Sequence, residues 1–299
     1  MGTEVLDSGA RRTAWMYDVE EKYPGTRIAV IDPGCAWLWP AFVTVHHGVE
    51  DNWPLTAWQA FHYIRGFALG GMIADYEGLY RHAYKHLLPG GWFEVRDHDL
   101  QFFVDAQSGD KEKEDTGGEK KEKLVTLQRW GKLMAEAAEK FGKPINMGAK
   151  HKDMMERAGF TDVHEKVLKI PFRDWKDGNP WQKVRNYYSL HMRYSLEGHT
   201  LRLFTMTLGW SLEDTKAFNE QLPAPKIEHL RLYSLFKVVY GMKPKTASRE
   251  PEDSVLKSEV ASSEPDIAAQ NISSHSDVFH VVDLFFMQLQ VAAGQFQTP

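Results

Sequence analysis

The sequence holds a single cysteine, Cys35. That excludes an intrachain disulfide and any multi-cysteine metal site, and it favours a reducing compartment. No run of about 20 apolar residues occurs, so no membrane span is expected. The opening MGTEVLDSGARR lacks the apolar core of a secretory signal, so the Asn271-Ile272-Ser273 triplet reads as a chance match to a glycosylation acceptor. A large excess of either charge is lacking too. Against 36 Lys and Arg stand 41 Asp and Glu, a net charge of −5 that predicts no broad basic surface for nucleic acid. There is no Walker-spaced glycine loop, no Gly-x-Ser-x-Gly elbow and no Cys/His nucleophile arrangement. His46 and His47 are adjacent, and on a strand they point to opposite faces, so they make a poor chelate and no metal site is expected.

What is present is a globular composition: 42% hydrophobic and 26% charged residues, in a length of 299 that suits one large domain or a domain plus an extension. The ten Trp can build a core or line a pocket for a flat apolar ligand. Residues 4–8 and 27–32 (RIAVID) read as short buried strands, with a helix over 13–22 between them. Residues 42–49 alternate like a third strand, and 60–67 supply a fourth. Residues 75–88 form an amphipathic helix, with Leu79, Tyr80, Ala83 and Leu87 on one face, stopped by Pro89-Gly90-Gly91. A strand follows over 92–104. Residues 105–123 carry charges of alternating sign and read as a solvated loop. A helix is expected over 124–141, with Leu124, Leu127, Leu133, Ala137 and Phe141 roughly on one face. A short helix over 151–160 leads to a strand over 162–172. Residues 173–228 are mostly helical and suit a lid, and 229–244 give a last strand, expected antiparallel. Residues 245–276 read as a linker, and 277–299 as an apolar, helical segment suited to docking, dimerisation or a protein partner.

Strands alternating with helices imply a mostly parallel sheet covered on both faces, an α/β fold. Ligands of such sheets bind outside the carboxyl ends of the strands, at the point where strand order reverses. The first strand–helix turn is VLDSGARRTAW, residues 5–15. Asp32, ending the second strand, stands where an acid can bond a ribose hydroxyl pair; a plain strand-end cap explains it as well.

The stretch LYRHAYKHLLPGGWFEVRD (79–97) resembles the segment that follows the cofactor site in class I S-adenosylmethionine (SAM) dependent methyltransferases, and more narrowly the LaeA-like family of filamentous fungi. Supporting segments run in order over residues 4–244, among them YPGTRIAVID (23–32), VEDNW (49–53), ERAGFTDV (156–163), LGWSLED (208–214) and VVYGMKP (238–244). The resemblance implies a seven-stranded Rossmann-like sheet with an antiparallel last strand, SAM as cofactor, no metal, and a role in fungal secondary metabolism. It places cofactor contacts at Asp7, Gly9, Ala10, Arg11, Asp32, Glu50 and Trp53.

The departures fall at ligand-facing edges. The family's turn is glycine-rich, whereas here Gly9 alone remains and Arg11 and Thr13 replace the later glycines. An Arg held at positive φ costs about 1–2 kcal/mol. His47 and Gly48 stand where the family tends to carry acids before VEDNW, and His62 and Arg65 where its fourth strand carries Asp and His. The first strand begins almost at Met1, where the family has helices before it. Three readings of the turn stay open: an altered SAM loop, a loop that has lost SAM, and an ordinary strand end. Arg11 and Arg12, near a helix N-terminus, suit a carboxylate or phosphate.

Methyl transfer asks chiefly for positioning and desolvation, with a general base only where the acceptor must lose a proton. His98 and His62 are the candidate bases, with Asp97 a weaker one. Trp175, Trp181, Tyr188 and His191 in the lid are candidate walls of a small-molecule pocket; core packing is the plainer reading of them. Three functions are therefore carried: methylation of a small natural product, cyclisation or rearrangement of a biosynthetic intermediate without methylation, and LaeA-like regulation through protein contacts. A cytoplasmic location is expected, nuclear if regulatory.

Overall fold

The computed structural model describes residues 3–8, 15–32, 43–47, 53, 60–104, 117–171, 198, 200–222 and 232–245. Its centre is one sheet. Strands β1 (Glu4–Ser8), β2 (Arg27–Asp32), β3 (Val43–His47), β4 (Phe61–Phe67) and β5 (Leu87–His98) are parallel, in the order β3-β2-β1-β4-β5. Strand β8 (Leu232–Met242) joins β5 antiparallel, from Trp92 opposite Met242 to His98 opposite Phe236. Strand β7 (Thr161–Pro171) covers the other edge of β8, also antiparallel. A two-residue strand, β6 (Phe103–Val104), pairs with Tyr233 and Leu232 and resumes the β5 ladder after a break. The expected strand over 92–104 is thus two segments, and the sheet has eight strands in seven positions. This is the mostly parallel sheet, with an antiparallel last strand, that the methyltransferase resemblance implies.

Alternation along each strand feeds two cores. Leu6, Ile64, Phe93 and Val95 point to the face covered by α2 (Tyr76–His86) and α4 (His151–Arg157). Val5, Ile28 and Val30 point the other way, against Trp15 and Met16 of α1 (Trp15–Lys22). Farther along that second face, Phe67, Phe236 and Val238 pack with Trp130 of α3 (Gly117–Lys140), Phe204 of a π-helical turn (Phe204–Leu208) and Phe218 of α5 (Leu212–Gln221).

Two boundaries differ from the sequence reading. Helix α2 ends at His86, not Leu88, and Pro89-Gly90-Gly91 lies inside β5. The reason is that Lys243 closes the helix from across the sheet: its Nζ donates to the carbonyls of Tyr84 and Leu87, each at 2.8 Å. Gly90, at φ 83°, makes the bend, and its N–H reaches the Lys243 carbonyl. The second difference is α3. It begins at Gly117, so the last part of the charged segment is helical, as its Glu and Lys residues favour. Phe141, expected on the buried face, lies just past the helix end and is 53% exposed. The proposed linker, the C-terminal segment and residues 105–116 lie outside the described residues.

Candidate active site

Strand order reverses at β1, which has β2 and β3 on one side and β4 and β5 on the other. Open sheets of this kind bind ligands in the crevice outside the carboxyl ends of the strands at such a reversal, so the rim at β1 and β4 is the candidate site. Asp7 is next to last in β1, and the register sets it opposite Arg65 of β4, which is in turn opposite Glu94 of β5. A row of charge thus crosses the sheet on the face that α1 covers.

Arg65 Nη1 donates to Asp7 Oδ2 at 3.3 Å, and both side chains are fully buried. The guanidinium is sandwiched between aromatic faces, 4.5 Å from the Trp15 ring centre and 4.0 Å from that of Phe67. Burial pushes the Asp7 carboxyl up to about 6, against the opposing pull of Arg65. Burial likewise lowers the Arg65 guanidinium from its ordinary value. Glu94 differs: burial pushes it up, but ion pairing and hydrogen bonding with Arg96 outweigh that, and it lies below the usual carboxylate range. Tyr63, buried and bonded to Glu94, is held well above 10. Among the described residues, Asp7 Oδ1 and Arg65 Nε and Nη2 have no hydrogen-bond partner.

At the end of β5 a second group of polar side chains turns toward α4. Asp97 Oδ1 accepts from the His98 N–H at 2.9 Å, and Asp97 Oδ2 lies 3.6 Å from His151 Nε2. His151 Nδ1 lies 2.9 Å from the Tyr80 hydroxyl. All of Tyr80, Asp97 and His151 are buried, so this group ties β5 to α2 and α4. Ala68, just past β4, holds φ 51°, with its N–H bonded to the Arg96 carbonyl at 2.9 Å. A non-glycine residue in that region is strained, and such strain gathers at functional edges.

The expected site residues divide sharply. His98 closes β5 at the ligand edge, with a side chain 13% exposed. His62 is misplaced by the sequence reading: it is the second residue of β4, at the amino end, and its Nδ1 accepts from the Glu4 N–H at 3.1 Å. It stands at the opposite edge of the sheet from the crevice. Trp53 is 5% exposed and stacks on His82 of α2 at 5.9 Å, so its ring serves core packing. Asp32 ends β2, one residue past the partner of Ser8, and only its backbone is described. Gly9, Ala10, Arg11, Glu50, Trp175, Trp181, Tyr188 and His191 lie outside the described residues. Among the described residues no group of three His, Cys, Asp or Glu is placed to hold a metal, and no helix is long and apolar enough to cross a membrane. Arg65 entered the sequence reading only as a departure from the family pattern. Its pairing with Asp7 needs the β1–β4 register, which no local spacing encodes.

No protein-family profile matches the chain. It is 26% identical over 247 residues to the secondary metabolism regulator LaeA of Aspergillus fumigatus, covering 75% of this chain and 60% of that one. It is also 26% identical over 244 residues to the probable methyltransferase TdiE of Emericella nidulans, covering 80% of this chain and 72% of that one. The chain therefore spans about 60% of the length of the LaeA proteins it matches. Among solved structures, phosphoethanolamine N-methyltransferase 2 of Haemonchus contortus in complex with S-adenosyl-L-methionine aligns with 82% of this chain and 49% of that one, at 14% identity and a TM-score of 0.44. In sequence, the chain is similar to the LaeA proteins and to the probable methyltransferase TdiE.

Proposed function

We propose that the protein is a SAM-dependent methyltransferase acting on a small natural product in fungal secondary metabolism, with an altered cofactor loop. The observation that carries this reading is the coincidence of two things at one place. The reversal of strand order puts Asp7 and the end of β2 at a ligand crevice, and the LaeA- and TdiE-like sequence runs through the same elements. The names of those relatives, a regulator and a probable methyltransferase, support the chemistry and the setting.

SAM would supply the electrophilic methyl group. The chain's part is to bind, orient and exclude water, with Asp32 as acceptor for ribose hydroxyls and Asp7 with Arg65 beneath the first turn. The Asp7–Arg65 pair suits a polar ligand end, because among the described residues Asp7 Oδ1 and Arg65 Nε and Nη2 have no hydrogen-bond partner. His98, at the ligand edge, is the side chain placed to take a proton if the acceptor is a hydroxyl or amine. Trp175, Trp181, Tyr188 and His191 are assigned to the substrate pocket.

A second reading draws on the same pair. A guanidinium beside the crevice repels a sulfonium cation, so a methyltransferase fold that rearranges its ligand without methylation is the alternative. Incubation of the protein with methyl-labelled SAM and a fungal metabolite extract separates these outcomes. Label in the small-molecule fraction is expected. Label confined to protein would move the function to regulation, and bound cofactor with no label in either fraction would favour rearrangement.

A further inference from the structure

Strand β7 is the outermost strand beyond β8, and among the described residues no strand pairs with its other edge. Its one-for-one match to β8 runs from His164 to Pro171; before that run lies an irregularity between Thr161 and His164, with Asp162 at φ 54°. Pro171 has no N–H to give, so the freely pairable run is 164–170 and its middle residue is Val167. Val167 is 45% exposed, an apolar side chain at the centre of an open edge. Alternation puts Glu165, Val167 and Lys169 on one face of the strand, and all three are exposed. Lysine on an edge strand commonly guards it against a second strand. Here the guard has a matching acid at the right spacing. When the strand is laid antiparallel to a copy of itself about Val167, each Glu165 falls directly opposite the other copy's Lys169, and Val167 meets Val167. Neighbouring registers lack this match. Centring on Glu165, Lys166 or Lys169 sets like charges directly opposite, and centring on Leu168 pairs no charges at all. Within its own chain Glu165 lies 3.9 Å from Lys237, and Lys169 Nζ sits 4.6 Å from the Tyr233 ring centre, so the added contacts would extend a row of alternating sign.

We infer that the outer edge of β7 is an interaction surface for a second copy of this chain, paired antiparallel about a two-fold axis at Val167, with Glu165 of each copy opposite Lys169 of the other. The contact is isologous, so one short pattern supplies both halves of it and the assembly closes at two. The two eight-stranded sheets then run on as one. Because the second β7 runs the opposite way, the candidate ligand rims open at opposite edges of the joined sheet, and neither copy completes the other's site. The inference does not depend on the methyltransferase reading. A single strand pairing is a small interface, so a reversible dimer of micromolar affinity is expected rather than a permanent one.

The test is sedimentation velocity on the intact chain, over roughly 1–200 µM at low salt. The wild type should pass from monomer to dimer within that range. Lys169→Glu sets an acid opposite the other copy's Glu165 at both ends of the contact and should raise the dissociation constant about tenfold or more; Glu165→Lys should do the same with bases. An equimolar mixture of the two variants restores opposite charges at both ends, and should dimerise within about threefold of the wild type. A wild type that stays monomeric at about 200 µM overturns the inference. A dimer that neither variant weakens also overturns it, because the contact then lies elsewhere, on residues 277–299 for example. Two weakened variants that do not recover on mixing overturn the register about Val167. If the charge variants do not fold, Val167→Cys in a Cys35→Ser background decides. A short bis-maleimide should join two copies through that position, and no cross-linked dimer would overturn the inference.

Discussion

At the scale of single residues, the Asp7–Arg65 pair dominates the physics of the site. Taking two charges out of water is costly, and mutual attraction offsets that only while both are present. Arg65→Met leaves Asp7 fully buried without the guanidinium that pairs with it. It is expected to lower stability by about 3–5 kcal/mol in denaturant titration, whereas the double variant Asp7→Leu with Arg65→Met should recover most of that loss. A single variant within 1 kcal/mol of wild type, on the order of a surface change, would show that the pair is not held as described. The titration of Asp7 has a definite sign. Its carboxyl is raised in the folded state, from 3.8 to about 6, because burial penalises the charge. The folded protein therefore holds that proton more tightly than the unfolded chain does. The stability this contributes is complete below about pH 4 and is lost as pH rises through about 6. Asp7→Asn should remove a loss on the order of 3 kcal/mol between those limits, read as the difference between the two stability–pH curves. Parallel curves would contradict the assignment.

At the scale of elements, close approaches set the boundaries. Helix α3 crosses the β5–β6 connection at Gly131, where an added Cβ would stand 2.4 Å from the Leu100 carbonyl oxygen. Alanine is the better helix former by about 1 kcal/mol, but the atom it meets is backbone and cannot swing away. Gly131→Ala is therefore expected to destabilise by about 1–3 kcal/mol in chemical denaturation, and a stabilised variant would show that α3 sits farther out. Much of this level was legible in the sequence because local chemistry repeats it. Gly209 at φ 73° ends the π-helical turn, Trp210 packs on Phe204 and Phe218, and Ser211 caps α5 by accepting from the Asp214 N–H at 2.9 Å. That is the segment LGWSLED, which entered the sequence reading only as part of the family resemblance. Gly159 at φ 95° and the buried Phe160 likewise join α4 to β7 within ERAGFTDV. The misread boundary at Leu87 has the opposite cause. Pro-Gly-Gly is a helix stop by local rules, yet the helix ends earlier because Lys243, far away in sequence, takes its last carbonyls. His62 failed for a different reason: near the start of a strand in a parallel sheet it lies at the amino end, and the chain direction alone sets it away from the ligand rim. Arg65 lay within a recognised strand, and its partner Asp7 is 58 residues away.

At the scale of the whole molecule, the eight-stranded sheet gathers chemistry from distant stretches at one rim. The end of β1, the end of β2, the strained Ala68 after β4 and His98 at the end of β5 all lie at the same rim of the sheet. The opposite rim, where His62 binds the Glu4 backbone, carries structure instead. This division lets the glycine-poor first turn change while both cores keep their apolar alternation. Function then hinges on whether the altered rim still takes the cofactor. The most direct measurement is calorimetric titration of the purified protein with SAM and S-adenosylhomocysteine, repeated on Asp32→Ala. Saturable binding of both ligands is expected, with a loss of about tenfold in affinity on removing the Asp32 carboxylate, in keeping with loss of a charge-assisted hydrogen-bond pair. No binding at millimolar ligand would contradict it.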